Sequence, residues 1–292
     1  MKDNFEVNFI GVGFPRCGTT WISKCLEEHP DICFSNKKEL HFFNNDFDYD
    51  KGIGYYKTLF NYNGEKSVGE FTPEYFIYDK TIERIKKHYP KAKLIFALRN
   101  PVSRAFSQYL YRKRKTGKEY PIEEIFSQQD LPYEEQILYP GFYSYHLSRW
   151  IKDLPKDQYL ILIHKDSTDN PEAFIKKIYK FVGVDENFVP PSLKKEVNVS
   201  KGLVYHSRII QNIYAFRTKI KRGLLGRRLI EFLKKLGFSK IVGWVISKNF
   251  KGNKGEENEV LSDNVREKIR EVYKDDIKRL EKFLGRDLSF WK

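Results

Sequence analysis

Apolar residues recur along the chain in two patterns. Short, mostly apolar or β-branched runs at Asn8–Phe14, Ser67–Glu70, Lys93–Leu98 and Tyr159–His164 have the length expected of buried strands. Between them, apolar positions return at helical spacing over Thr19–Glu28, Lys80–His88, Pro101–Arg114, Phe142–Leu154, Pro171–Val182 and Ser262–Leu284. This alternation predicts an α/β fold: a parallel sheet flanked by helices on both faces, with ligands at the carboxyl ends of its strands. No proline-rich linker, low-complexity tract or internal repeat interrupts the pattern, so residues 1–292 are expected to form a single domain.

The first predicted strand runs into Gly11-Val12-Gly13-Phe14-Pro15-Arg16-Cys17-Gly18-Thr19-Thr20-Trp21, a glycine-bounded turn that opens a helix with two hydroxyl residues. Backbone N–H groups in such a turn and the positive end of the helix dipole form an anion site. The loop is P-loop-like in spacing, but Thr19 stands where ATP and GTP enzymes need lysine, and the cation lies inside the loop at Arg16. A second strand-to-helix unit follows at Lys93–Ser107. Pro101 suits a first helical turn, where its missing N–H has no partner to lose. Arg99 is then expected at a strand's carboxyl end and Ser107 about two turns into the helix, together able to grip a second phosphate. Each unit taken alone also fits an ordinary strand–helix turn.

Together these segments resemble the sulfotransferases that use 3′-phosphoadenosine 5′-phosphosulfate, most of all bacterial and heparan-sulfate-type members. Further matching segments are Lys38–Phe43, Gly69–Phe76, Gly141–Trp150 and Leu280–Trp291, and the likeness is weakest from about Arg208 to Asn258. The resemblance implies that Phe14 to Trp21, with Arg16, Cys17, Gly18, Thr19, Thr20 and Trp21, surrounds the donor's phosphosulfate. It also implies that Arg99 and Ser107 hold its 3′-phosphate, and that Lys201 and Gly202 belong to a loop closing over that end. Tyr143 is a candidate contact to donor or acceptor, with core packing as the alternative. Arg16 replaces the lysine of many relatives; it keeps the charge but cannot give up a proton. No cysteine follows Cys33, so the disulfide that heparan-sulfate-type domains tend to carry near the 3′-side loop has no counterpart here.

By the same resemblance Glu70 is the general base that takes the acceptor's proton. It is expected to leave a strand edge toward the cleft, where partial desolvation would raise its pKa. The ordinary alternative is a solvated glutamate paired with a nearby cation. His41 is the rival base, since imidazole titrates near neutral pH, although Phe42 and Phe43 beside it suggest a packed corner. Lys38 would face the sulfuryl group or the acceptor, or simply solvent. The implied reaction is in-line transfer of a sulfuryl group to a hydroxyl or amine of a glycan, lipid-linked or small-molecule acceptor, leaving adenosine 3′,5′-bisphosphate. No metal is expected, because Arg99 ends the strand where a metal-binding P-loop enzyme would present an acid.

Charge adds one feature. Of the net charge of +14, the stretch Arg217–Lys251 contributes +10, from eleven Lys or Arg against Glu231. Leu225, Leu229, Phe232, Leu233 and Leu236 recur within it at helical spacing, as on an amphipathic basic helix. That segment reads either as a core-facing helix with a solvated face or as a surface for an acidic glycan or an anionic membrane. A nucleic-acid- or membrane-binding protein on a nucleotide-binding fold, or a P-loop kinase, remains the alternative class, although charge alone supports the former and Thr19 opposes the latter. Three cysteines without C-x-x-C spacing point to neither a disulfide framework nor a zinc site, and the first strand's closeness to Met1 suggests a cytoplasmic protein, peripheral to the inner membrane surface if the basic segment binds lipid.

Overall fold

The computed structural model describes residues 5–116, 121–131, 136–194, 203–205, 250–252 and 259–291. Lys201, Gly202 and, apart from 250–252, the basic stretch 217–251 lie outside them.

Five strands form one parallel sheet: β1 (Phe9–Gly13), β2 (Ile32–Phe34), β3 (Ser67–Phe71), β4 (Lys93–Leu98) and β5 (Tyr159–Ile163), in the order β2-β3-β1-β4-β5. Every residue of β1 is buried, as expected of a central strand covered on both faces. From β1 the chain departs toward β2 on one side, and from the adjacent β4 toward β5 on the other. The two neighbouring strands therefore send their connections in opposite directions, and their carboxyl ends form the topological switch point at which doubly wound sheets bind ligands.

The helices are α1 (Thr19–Glu27), α2 (Asp46–Tyr49), α3 (Gly52–Lys57), α4 (Asp79–His88), α5 (Pro101–Thr116), α6 (Tyr143–Ile151), α7 (His164–Asp169), α8 (Pro171–Val182) and α9 (Asp263–Leu284). Local chemistry sets several ends. The Asn170 side chain accepts from Ala173 N–H and Pro171 opens α8, while Gly183 at φ 86° closes it. Ser262 caps α9 by accepting from Val265 N–H, and Gly285 at φ 59° ends it. Helix α6 is shorter than its expected span Phe142–Leu154, beginning at Tyr143 and ending at Ile151, ahead of Pro155. His164, expected to end a strand, instead opens α7.

The main core surrounds the sheet. Trp150 of α6 lies edge-on to Phe96 of β4 and donates to the Phe76 carbonyl, and Tyr179 of α8 donates to the Cys25 carbonyl of α1. A second cluster, including Ala105, Tyr109, Val265, Ile269 and Tyr273, joins α5 to α9. All three cysteines are free and buried, and burial lifts the Cys17 and Cys33 thiols to about 11 and Cys25 to about 12. Among the described residues no helix is long and apolar enough to cross a membrane.

Close strand approach demands glycine at one point that bears on the site. A Cβ on Gly69 would stand 2.4 Å from the Phe9 carbonyl oxygen of β1. Gly69→Ala is therefore expected to destabilise the fold by about 1–3 kcal/mol. In urea unfolding the midpoint should fall without a change in slope, and an unchanged midpoint would contradict the packing described here.

Candidate active site

The loop after β1 is bent into an anion cradle. Arg16 at φ 69° and Gly18 at φ 81° both adopt the left-handed conformation, and α1 begins at the next residue. That geometry is rare for arginine, and left-handed residues are characteristic of backbone turns that gather N–H groups into anion-binding concavities. The Phe14 N–H donates to the Ala97 carbonyl of β4, which holds the loop against the neighbouring strand. Phe14 itself is buried, with its ring centroid 4.3 Å from that of Phe76.

Three side chains, two of them from α5, converge on Arg16. Its Nε donates to Ser107 Oγ at 3.1 Å, its guanidinium lies 4.9 Å from the centre of the Tyr111 ring, and Arg99 Nη1 donates to its carbonyl at 3.3 Å. Arg99 and Ser107, expected to work as a pair, thus meet at the loop after β1. Burial lowers the pKa of Arg16, and the charges of Arg114 and Arg99 lower it further. Such a concentration of like charge is relieved by an anion.

The remaining loop candidates are divided. Thr19 is buried and Thr20 partly buried at the start of α1. Trp21 donates from Nε1 to the Ser192 carbonyl at 3.0 Å and packs against Phe174. Cys17 and Tyr143 are both buried, with Sγ and the phenol oxygen 3.7 Å apart, so Tyr143 supports the loop from within the core and offers it no exposed surface. Sequence reasoning missed His164. A Cβ on Gly18 would stand 2.8 Å from its Cδ2, and burial, then the Arg99 charge, depresses its pKa to about 4. A neutral imidazole therefore stands beside the cradle; its only sequence signal was its place after an apolar run.

Beside this cationic half lies a carboxylate half. Glu70 sits within β3, paired in register with Ile10 of β1, and is fully buried rather than open at a strand edge. Three hydroxyls donate to it: Tyr56 and Tyr75 to Oε1 at 3.0 and 2.8 Å, and Thr72 to Oε2 at 2.6 Å. Burial raises its pKa above the ordinary carboxylate value, opposed by these donors and by His41.

His41 belongs to a turn in which Glu39 and His41 both have positive φ, 61° and 55°. Its backbone N–H donates to Thr72 Oγ1 at 3.5 Å, and its ring nitrogens lie 3.7 Å from Glu39 and 3.8 Å from Glu74. Burial disfavours the charged ring, yet Glu39, Glu74 and Glu70 together hold its pKa above the usual value. Glu39 is pushed down to about 2 against the effect of burial by His41 and Lys38, whose Nζ is 2.6 Å away. Lys38 is thus committed to an ion pair. Among the described residues no cluster of three or more His, Cys, Asp or Glu side chains has the arrangement of a metal site.

Comparison with known proteins agrees with this geometry. Residues 8–201 match the family model of the sulfotransferase domain. The bifunctional heparan sulfate N-deacetylase/N-sulfotransferase 2 of Bos taurus is 32% identical over 193 residues, covering 60% of this chain and 22% of that protein. The mouse heparan sulfate glucosamine 3-O-sulfotransferase 5 is 29% identical over 184 residues, covering 60% of this chain and 53% of that one. The chain thus spans about a fifth to a half of these relatives. In fold, it is similar to a sulfotransferase from Alicyclobacillus acidocaldarius, with a TM-score of 0.69 and 23% identity over 98% of this chain and 99% of the other.

Proposed function

Because the chain belongs to the sulfotransferase domain family, we propose that it transfers the sulfuryl group of 3′-phosphoadenosine 5′-phosphosulfate to a hydroxyl or amine acceptor, with Glu70 as the general base. The observation that carries this reading is the division of the site: arginines converge at the carboxyl ends of β1 and β4, and a buried carboxylate stands on the adjoining β3. The cradle amides, Arg16, Thr19 and Thr20 take the 5′-phosphosulfate, and Arg99 with Ser107 takes the 3′-phosphate. An acceptor oxygen or nitrogen attacks sulfur in line and loses its proton to Glu70, while the sulfur–oxygen bond to the phosphate breaks. Adenosine 3′,5′-bisphosphate leaves with the bonding electrons. Charge then grows on a phosphate oxygen already faced by fixed donors, each worth about 3 kcal/mol in such sites.

His41 suits the base role less well. Its neighbouring carboxylates favour the protonated ring, which has no lone pair to offer, whereas burial of Glu70 makes its carboxylate a stronger base. The relatives' names support a glycan acceptor, and a lipid-linked or small-molecule acceptor suits the same chemistry. Sulfur-labelled donor incubated with a panel of N-deacetylated and O-unsubstituted glycans, lipid-linked sugars and small phenols and amines is expected to label one class. The charge stabilisers named here are protein groups, so labelling should persist in EDTA. Labelling lost in EDTA and restored by a divalent cation would contradict that assignment.

A further inference from the structure

Helix α5 turns one stripe toward the loop after β1. Ser107, Tyr111 and Arg114 recur at helical spacing and so share a face. Each acts on Arg16 differently. Ser107 Oγ accepts from its Nε, its guanidinium carbon lies over the Tyr111 ring at 4.9 Å from the centre, and Arg114 adds a like charge. Arg99 adds another from the end of β4, and burial disfavours the cation further. An arginine does not relieve that cost by losing its proton, so the guanidinium is driven toward solvent unless something holds it. The negative face of an aromatic ring does so without adding a carboxylate that would compete with a phosphate. Core packing does not account for the place of this ring: Tyr111 belongs to neither apolar cluster and is 38% exposed, whereas Tyr109 packs between α5 and α9.

We propose that Tyr111 is a positioning residue of the nucleotide site, its ring holding the Arg16 guanidinium against the charges of Arg99 and Arg114 and in place to meet the donor's 5′-phosphosulfate. This rests on the reading of the loop after β1 as the seat of that group. With Nε engaged by Ser107, pairing with an anion through Nε is taken up, and the fork of Nη1 and Nη2 is the edge able to grip a phosphate at two points. Ser107 thus selects the edge, and Tyr111 fixes its position. As the acceptor from Arg16, Ser107 keeps its own proton to donate to the 3′-phosphate. Tyr111 acts through Arg16 and need not touch the donor.

The test is a double-mutant cycle on Arg16 and Tyr111, read as calorimetric affinity for adenosine 3′,5′-bisphosphate. Tyr111→Leu keeps apolar bulk but removes the ring face, and should weaken binding roughly 3–30-fold. Its urea unfolding midpoint should match wild type, because the ring is half exposed and outside the core. Tyr111→Phe keeps the ring and should bind within about twofold of wild type, and in an Arg16→Met background Tyr111→Leu should change affinity by no more than about twofold. Equal losses from Tyr111→Leu in both backgrounds would overturn the proposal, as would wild-type affinity in Tyr111→Leu or a Tyr111→Phe protein as weak as Tyr111→Leu. Failure of the underlying reading looks different: wild type would not bind the nucleotide, or Arg16→Met would bind it as wild type does.

Discussion

Glu70→Gln is expected to lower turnover by ~10²–10⁴-fold, the usual consequence of removing a general base. Affinity for adenosine 3′,5′-bisphosphate should stay within a few fold, because the groups assigned to the nucleotide lie in the loop after β1, at the start of α1, just after β4 and on α5. Glutamine is close in shape and can still accept at its amide oxygen from Tyr56 and Tyr75, so the fold should tolerate it. His41→Ala should be the milder change. It removes a charge that favours the ionised form of Glu70, and therefore shifts the acid limb of the pH profile upward without removing the base. Steady-state rates and calorimetry on the two variants check this. An active Glu70→Gln protein beside a dead His41→Ala protein would transfer the role to His41.

Arg99→Ala should abolish most of the preference for adenosine 3′,5′-bisphosphate over ADP. Hydrogen bonds to charged groups contribute about 1.5–3 kcal/mol, equivalent to roughly 10–100-fold in affinity. Arg99 also donates to the Arg16 carbonyl, so its loss should loosen the loop after β1 as well as remove the proposed 3′-phosphate contact. ADP, which has no 3′-phosphate, should lose affinity only through that second effect. Calorimetric titration with both nucleotides separates the two contributions. A variant that discriminates as well as wild type would place the 3′-phosphate elsewhere.

The parts of the fold visible in the sequence were those with long patterns or strong punctuation. The runs that became β1, β4 and β5 and the helices α1, α5, α8 and α9 had enough apolar residues, caps or glycines to place them within a few positions. Strand β2 did not: Ile32–Phe34 is too short to show a period. Helix α3, with two glycines in six residues, has weak intrinsic helix preference, and tertiary packing holds it. Its Tyr56 therefore gave no signal, although it is one of the three hydroxyls on Glu70. The loop after β1 was legible because its glycines, Arg16 and the two threonines are contiguous in sequence. The pairing of Arg16 with Ser107 across 91 positions was not, nor was the arrival of His164 beside Gly18, since both depend on how β1, β4 and β5 lie together in the sheet.

The most direct test of sulfuryl transfer uses donor carrying one label on sulfur and another on the 5′-phosphorus, incubated with the protein and an accepted substrate. The site described here predicts sulfur label on the acceptor in a one-to-one ratio with released adenosine 3′,5′-bisphosphate, with all phosphorus label retained in the nucleotide. Phosphorus label on the acceptor, or nucleotide release with sulfur appearing only as free sulfate, would contradict it.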